Sequence, residues 1–212
     1  MTGAIVEGIG LRIVDGRRLE KRFRDALDPG GVLCDLQGRA RLLPRFFYEV
    51  PSWDVALETR LSPHFDLWEF VQTDVREAPA LQSFPRYVPC AVTLLAACLE
   101  QLRDAVGTFV HVAANGGYRS PSHALTRNAS THCWATAVNI HRIGDTDLDD
   151  RASIERYGAI ARDSLPGVWV RPYGPGVGMA DDHLHLDFGY VNAVPRDAPS
   201  DVYNPKLSFD PL

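Results

Sequence analysis

The densest chemistry in this 212-residue chain lies in His183-Leu-His-Leu-Asp-Phe188, where polar and apolar residues alternate without a break. A strand, with its repeat of two, sends Leu184, Leu186 and Phe188 to one face and His183, His185 and Asp187 to the other. The apolar set packs and the polar set converges. Two imidazoles so placed can both reach a metal, or one can ligate while the other serves as acid or base. A solvated strand face is the plainer alternative. A second segment repeats the pattern: after Ser130-Thr-His132, Thr136, Val138 and Ile140 alternate with Ala137, Asn139 and His141. His132 ahead of that strand, with Asn139 or His141 inside it, would close a metal site with His185.

These residues need elements to hold them. Ser62-Pro63 reads as a helix cap with proline in the first turn, and Phe65, Trp68 and Val71 follow at helical spacing, which predicts a helix of about three turns. Val92, Leu95, Leu99, Leu102 and Val106 form the apolar stripe of a core helix that ends at Gly107. Thr108 to Ala113 reads as a strand, Asn115-Gly-Gly117 as a turn, and Asp150 to Arg162 as an amphipathic helix with Ile154, Tyr157 and Ile160 inward. Residues 1–60 read as a β-rich extension with turns at Asp15-Gly16 and Gln37-Gly38, ahead of a chemistry-bearing domain over 61–212. The class is α+β, with a central, mostly antiparallel sheet and flanking helices. Tyr173-Gly-Pro-Gly-Val-Gly178 precedes a strand instead of opening a helix, so it reads as a tight turn leading into the site.

Gly117-Tyr-Arg-Ser-Pro121, Ser130-Thr-His-Cys-Trp-Ala-Thr-Ala-Val-Asn139 and Asp182-His-Leu-His185 stand in that order along the chain. Together they resemble the motifs of the zinc D-alanyl-D-alanine metallopeptidases, the superfamily that includes lysostaphin-type endopeptidases and the hedgehog domain. Leu61-Ser-Pro-His-Phe65 with Glu69-Phe70 resembles the opening element of phage and bacterial members, and the likeness spans roughly residues 61–190. The resemblance implies a hedgehog/DD-peptidase fold and a zinc ion held by His132, the position of Asn139, and His185. It implies that Asp182 is the general base, that His183 steadies the oxyanion, and that Arg119 grips substrate, with Tyr118 and Ser130 beside it. The implied activity is hydrolysis of a peptide bond in D-amino-acid-containing peptidoglycan, as a carboxypeptidase or an endopeptidase.

Two positions depart from the pattern. Asn139 stands where the family has an aspartate ligand, and a neutral amide oxygen holds zinc less well than a carboxylate. Three arrangements follow: Asn139 ligates weakly, His141 takes its place, or the site is degenerate and the domain binds a peptide or cell-wall fragment without cutting it. Ala135 stands where the pattern has glycine, a mild change if the backbone there is extended.

Composition narrows the partners. The formal net charge of −5 supplies no excess of Lys and Arg for a polyanion, which argues against nucleic acid. The longest apolar stretch, Val88 to Leu99, is too short for the ~20 residues of a membrane span. Four scattered cysteines, none in a CxxC pair, argue against a zinc ribbon or a dense disulfide framework. The start Met1-Thr-Gly-Ala-Ile-Val-Glu-Gly8 has no basic, apolar leader, so the expected location is cytoplasmic, with export or release on lysis as alternatives.

Overall fold

The computed structural model describes residues 9–83, 86–174 and 181–199. The first eight residues, the tail from 200 onward and positions 175–178 of the glycine-rich turn lie outside the described residues. In chain order the elements begin with β1 (Ile13–Asp15), α1 (Lys21–Leu27), the hairpin β2 (Val32–Cys34) and β3 (Ala40–Leu42), and β4 (Phe46–Glu49). Next come α2 (Trp53–Glu58), β5 (Arg60–Ser62), β6 (Phe65–Asp66), α3 (Leu67–Val71), β7 (Tyr87–Pro89) and α4 (Val92–Val106). The chemistry-bearing half holds β8 (Val110–Val112), β9 (Ala137–Ile143), β10 (Thr146–Asp147), α5 (Arg151–Ser164), β11 (Trp169–Val170) and β12 (Leu184–Asp187).

The protein is thus mixed α and β, and every strand pairing is antiparallel. The five-stranded sheet runs β10-β9-β12-β11, with β8 on the other edge of β9. Its apolar face carries Val138, Ile140, Val170, Leu184 and Leu186, all buried. Helix α5 lies against that face so closely that a Cβ on Gly158 would stand 3.1 Å from Val170. Helix α4 buries Val92, Leu95, Ala96, Leu99 and Leu102 along one stripe and ends at Gly107 in the left-handed conformation that glycine adopts without strain. No helix among the described residues is long and apolar enough to cross a membrane.

The first sixty residues are less purely β than their turns suggest, because they also hold α1 and α2. They are joined to the rest: β4 pairs with β1 on one side and β7 on the other, and Val14, Phe23 and Phe47 share one apolar core with Phe70, Val88 and Leu95. The helix expected from Ser62 is a single short one. Ser62 ends a strand, and the true cap is Asp66, which forms a reciprocal capping box with Glu69. That box outcompetes Ser62-Pro63 because it satisfies two orphan backbone donors at once. His64, in the turn before it, donates its backbone N–H to Glu100 on α4 (2.6 Å), with its ring also on that carboxylate (2.9 Å).

Candidate functional site

One face of the central sheet presents the polar set. Register places His185 opposite Asn139 and Asp187 opposite both Ala137 and Trp169. The backbone N–H of Arg171, just past β11, donates to the carbonyl of His185 at 3.1 Å. Asn139, His185 and Arg171 therefore form one row across three strands, and alternation sends all three side chains to the same face. Trp169, half exposed, stands beside them with its ring 5.8 Å from that of His185.

Above this face sits a 3-10 turn, Thr131–Trp134, that carries His132. The turn is held from both sides. Trp134 is fully buried, donates its indole N–H to the carbonyl of Leu42 (2.9 Å) and meets Tyr190 edge to face at 4.9 Å. Thr131 donates to Asp187 (2.9 Å), tying the turn to β12. The hairpin of the first sixty residues is thus a prop for the His132 turn. Ala135, which ends the turn, has φ 54° and ψ 39°, so the backbone is left-handed there and not extended. An alanine in that conformation carries strain, because its Cβ approaches the following carbonyl.

The loop before the turn supplies Arg119. Tyr118 donates its N–H to the carbonyl of Phe70 (2.7 Å), and a Cβ on Gly117 would stand 2.3 Å from that same oxygen, so only glycine allows the approach. The Arg119 Nε donates to the carbonyl of Asn115 at 2.6 Å. Asn115 is itself fixed, donating its side-chain amide to Asp74 (2.9 Å) while its Oδ1 accepts from Thr73 (3.3 Å). The next residue, Ser120, donates its hydroxyl to buried Glu77 (2.5 Å) and its N–H to the other oxygen (3.1 Å).

His132 and His185 come together edge to face, ring centres 5.2 Å apart, at 3% and 2% exposure. His132 donates Nδ1–H to the carbonyl of Gly117 (2.7 Å), leaving Nε2 as an acceptor, and that atom receives Nη2–H of Arg119 at 3.1 Å. His185 Nδ1 lies 2.8 Å from Asn139 Oδ1 and donates to it. Burial, then the Arg119 charge and the His185 ring, hold His132 well below the usual imidazole range. Burial, then Arg171, does the same to His185. Both rings are neutral at pH 7. Burial also brings Arg119 down to about 10, still cationic, and lowers Arg171 against the opposing pull of Asp187.

The remaining expected residues divide. His183 is close by, with Nδ1 bonded to Asp182 Oδ1 at 2.5 Å and Nε2 buried without a partner among the described residues. Asp182 is 78% exposed, so it orients His183 from the solvent side. Ser130 enters the His132 turn, its carbonyl accepting from the Cys133 N–H (2.9 Å). Tyr118 is 1% exposed within the core, with its hydroxyl unpartnered among the described residues, so its burial removes it from any ligand. His141 is exposed and leans toward β8, 6.0 Å from His111, on the edge of β9 away from β12; the structure does not bring it to His132 and His185. Arg171 is the residue the sequence reasoning missed. The alternation Trp169-Val-Arg171 was its signal, but its place beside His185 depends on strand register.

The donor set is a poor match for a zinc dication. The Nε2 lone pair of His132 that would face a metal accepts from a guanidinium, the Asn139 oxygen accepts from His185, and none of the three donors is anionic. Among the described residues no group of three His, Cys, Asp or Glu is placed to hold a metal ion. No protein-family model, curated protein or solved structure matches the chain.

Proposed function

We propose that this chain is a relative of the hedgehog/DD-peptidase superfamily whose cleft binds a peptide or peptidoglycan fragment without cutting it. One observation carries the reading: the Arg119 guanidinium engages His132 where the resemblance implies a metal, while Asn139 supplies an amide in place of a carboxylate. The peptide class rests on the motifs around Arg119, His132 and His185. The residues that remain in the cleft can still recognise a peptide, since Arg119 is a fixed planar donor, Trp169 is an aromatic wall, and His183 holds an unused ring nitrogen.

The test incubates the full chain with soluble peptidoglycan fragments, with and without added zinc, and follows both retention on the protein and released D-alanine or cleaved cross-links. The expected result is retention without cleavage in either condition. Zinc-dependent release of D-alanine would overturn the binding reading.

That outcome would favour a second reading, a zinc peptidase acting as carboxypeptidase or endopeptidase. The observation on its side is that His132 and His185 are neutral, buried and adjacent, which is the state metal ligation needs. In that case His132, Asn139 and His185 would hold the ion, and Asp182 with His183 would manage the proton. The metal would supply Lewis-acid polarisation of the scissile carbonyl.

A further inference from the structure

The hairpin of β2 and β3 has two unlike faces. Its inward face serves the site: Leu33 packs into the cluster around Trp134, and the Arg41 guanidinium lies over the Tyr190 ring at 4.4 Å. Its outward face carries Val32 and Cys34 on one strand and Ala40 and Leu42 on the other, with Val32 opposite Leu42 and Cys34 opposite Ala40. All four are exposed, Val32 at 56% and Leu42 at 57%, and Leu36 in the connecting turn is 68% exposed. A solvated hairpin face is ordinarily polar, yet no charged, hydroxyl or amide side chain stands at these five positions.

The rest of the hairpin is already engaged, which narrows what can cover this face. Asp35 accepts from Arg39 (2.9 Å) and Arg41 (2.8 Å), so the cations beside the face are matched internally. The Cys34 carbonyl accepts the Ala129 N–H (2.9 Å), and the Leu42 carbonyl accepts from the Trp134 indole (2.9 Å) and the Asn192 amide (3.0 Å). An added strand would need those edge carbonyls. What is left open is a flat apolar face, held from behind.

Its relief is self-complementary. A bulky row, Val32 with Leu42, lies next to a small row, Cys34 with Ala40. We propose that this face docks a second copy of the chain, packed face to face about a two-fold axis that runs between the two rows. That axis sets each bulky row on the small row of the other copy and places Cys34 against the other copy's Val32, the interdigitation of a closed, isologous pair. The five exposures amount to roughly 300–400 Å² of apolar surface per copy, a patch of the size that marks an interaction site. Doubled, it stays below the ~1,200 Å² of a stable complex, so the dimer is weak and reversible, with a dissociation constant on the order of 100 µM. The second copy braces from outside the same hairpin that holds the His132 turn through Trp134.

The experiment follows the full native chain by sedimentation from about 5 µM to about 1 mM and, at the same concentrations, the alkylation of Cys34 by excess iodoacetamide. The weight-average mass should rise from 23.5 kDa toward twice that value, and Cys34 should react at least twofold more slowly at the top of the range. Leu42→Glu and Ala40→Glu, which put a carboxylate on each row, should stay at 23.5 kDa throughout. A native chain that remains a single copy at every concentration overturns the proposal, and its co-sedimentation with phosphatidylcholine vesicles would name a lipid surface as the occupant instead. A dimer that leaves the Cys34 rate unchanged uses another face and overturns it too. The Cys34 rate is read on the native chain, so the test holds should either variant fail to fold.

Discussion

Acidification from pH 7 to pH 5 should destabilise this protein through His132 and His185. Both rings are buried, and both are held neutral by burial together with the Arg119 and Arg171 charges, with His183 adding to the effect on His185. A base whose folded pKa is depressed costs nothing while the unfolded chain is also neutral. As pH falls through the unfolded value of ~6.5, the unfolded chain takes up a proton that the folded ring refuses, and stability falls with it. Between pH 7 and pH 5 each such ring removes up to about 2 kcal/mol, or up to about 4 kcal/mol for the pair. For a chain of this length that is a loss of up to roughly 8–16 °C in Tm. The assay is thermal or urea unfolding at half-unit pH steps, on the native chain and on His132→Gln and His185→Gln. His111, His123 and His183 shift in the same direction, so the native loss is larger than the pair alone, and the variants isolate each share. Each variant should lose up to about 2 kcal/mol of the pH dependence. A variant with the native slope, or imidazole 15N signals showing either ring half-protonated above pH 6, would refute the reasoning.

Other perturbations have equally definite outcomes. The Asp15 carboxyl, buried at the end of β1, is held below the usual carboxylate range first by its hydrogen bonds to Arg45. Its contribution is present above ~4 and lost as pH falls through the lowered folded value, so Arg45→Met should cost about 2 kcal/mol at pH 7 and flatten the acid limb of a Tm–pH curve. Ala135→Gly relieves a left-handed alanine worth ~1–2 kcal/mol against ~0.4–1 kcal/mol of added unfolded-chain freedom. Unfolding midpoints should therefore rise or stay level, and a clear fall would contradict the strain. Gly117→Ala puts a methyl against the Phe70 carbonyl and should cost about 1–3 kcal/mol by the same measurement. A thiol reagent at pH 8 should find one fast site, exposed Cys34, because burial raises the Cys98 thiol and pushes the Cys90 and Cys133 thiols up to about 12; fast reaction at a second site would be inconsistent with this packing.

The strands that carry the site were legible because one of their faces is buried. In His183 to Phe188 and in Thr136 to His141 a repeat of two reports that burial directly, and His185 and Asn139 do meet across the ladder. The α4 stripe and its Gly107 cap were legible for the same reason. What escaped was decided by geometry that pattern does not encode. The Ser62 cap lost to Asp66 and Glu69, whose reciprocal bonds depend on the chain turning at Pro63-His64. His141 shares a strand face with Asn139, yet it leans away toward His111. Tyr118 lies next to Arg119 in a motif that resembles a substrate loop, but its ring turns into the core while Arg119 turns to His132. The backbone sign at Ala135 and the row that brings Arg171 to His185 are set by tertiary packing and strand register, which residue pattern does not carry.

The most direct test of a cleft that works without metal is a zinc titration of the chelator-stripped full chain, followed calorimetrically and by elemental analysis after gel filtration, beside Asn139→Asp. The account predicts that the native chain leaves the column without a stoichiometric metal and that the aspartate variant gains affinity for it. One zinc per native chain, retained through filtration and accompanied by loss of the Arg119–His132 contact, would contradict it.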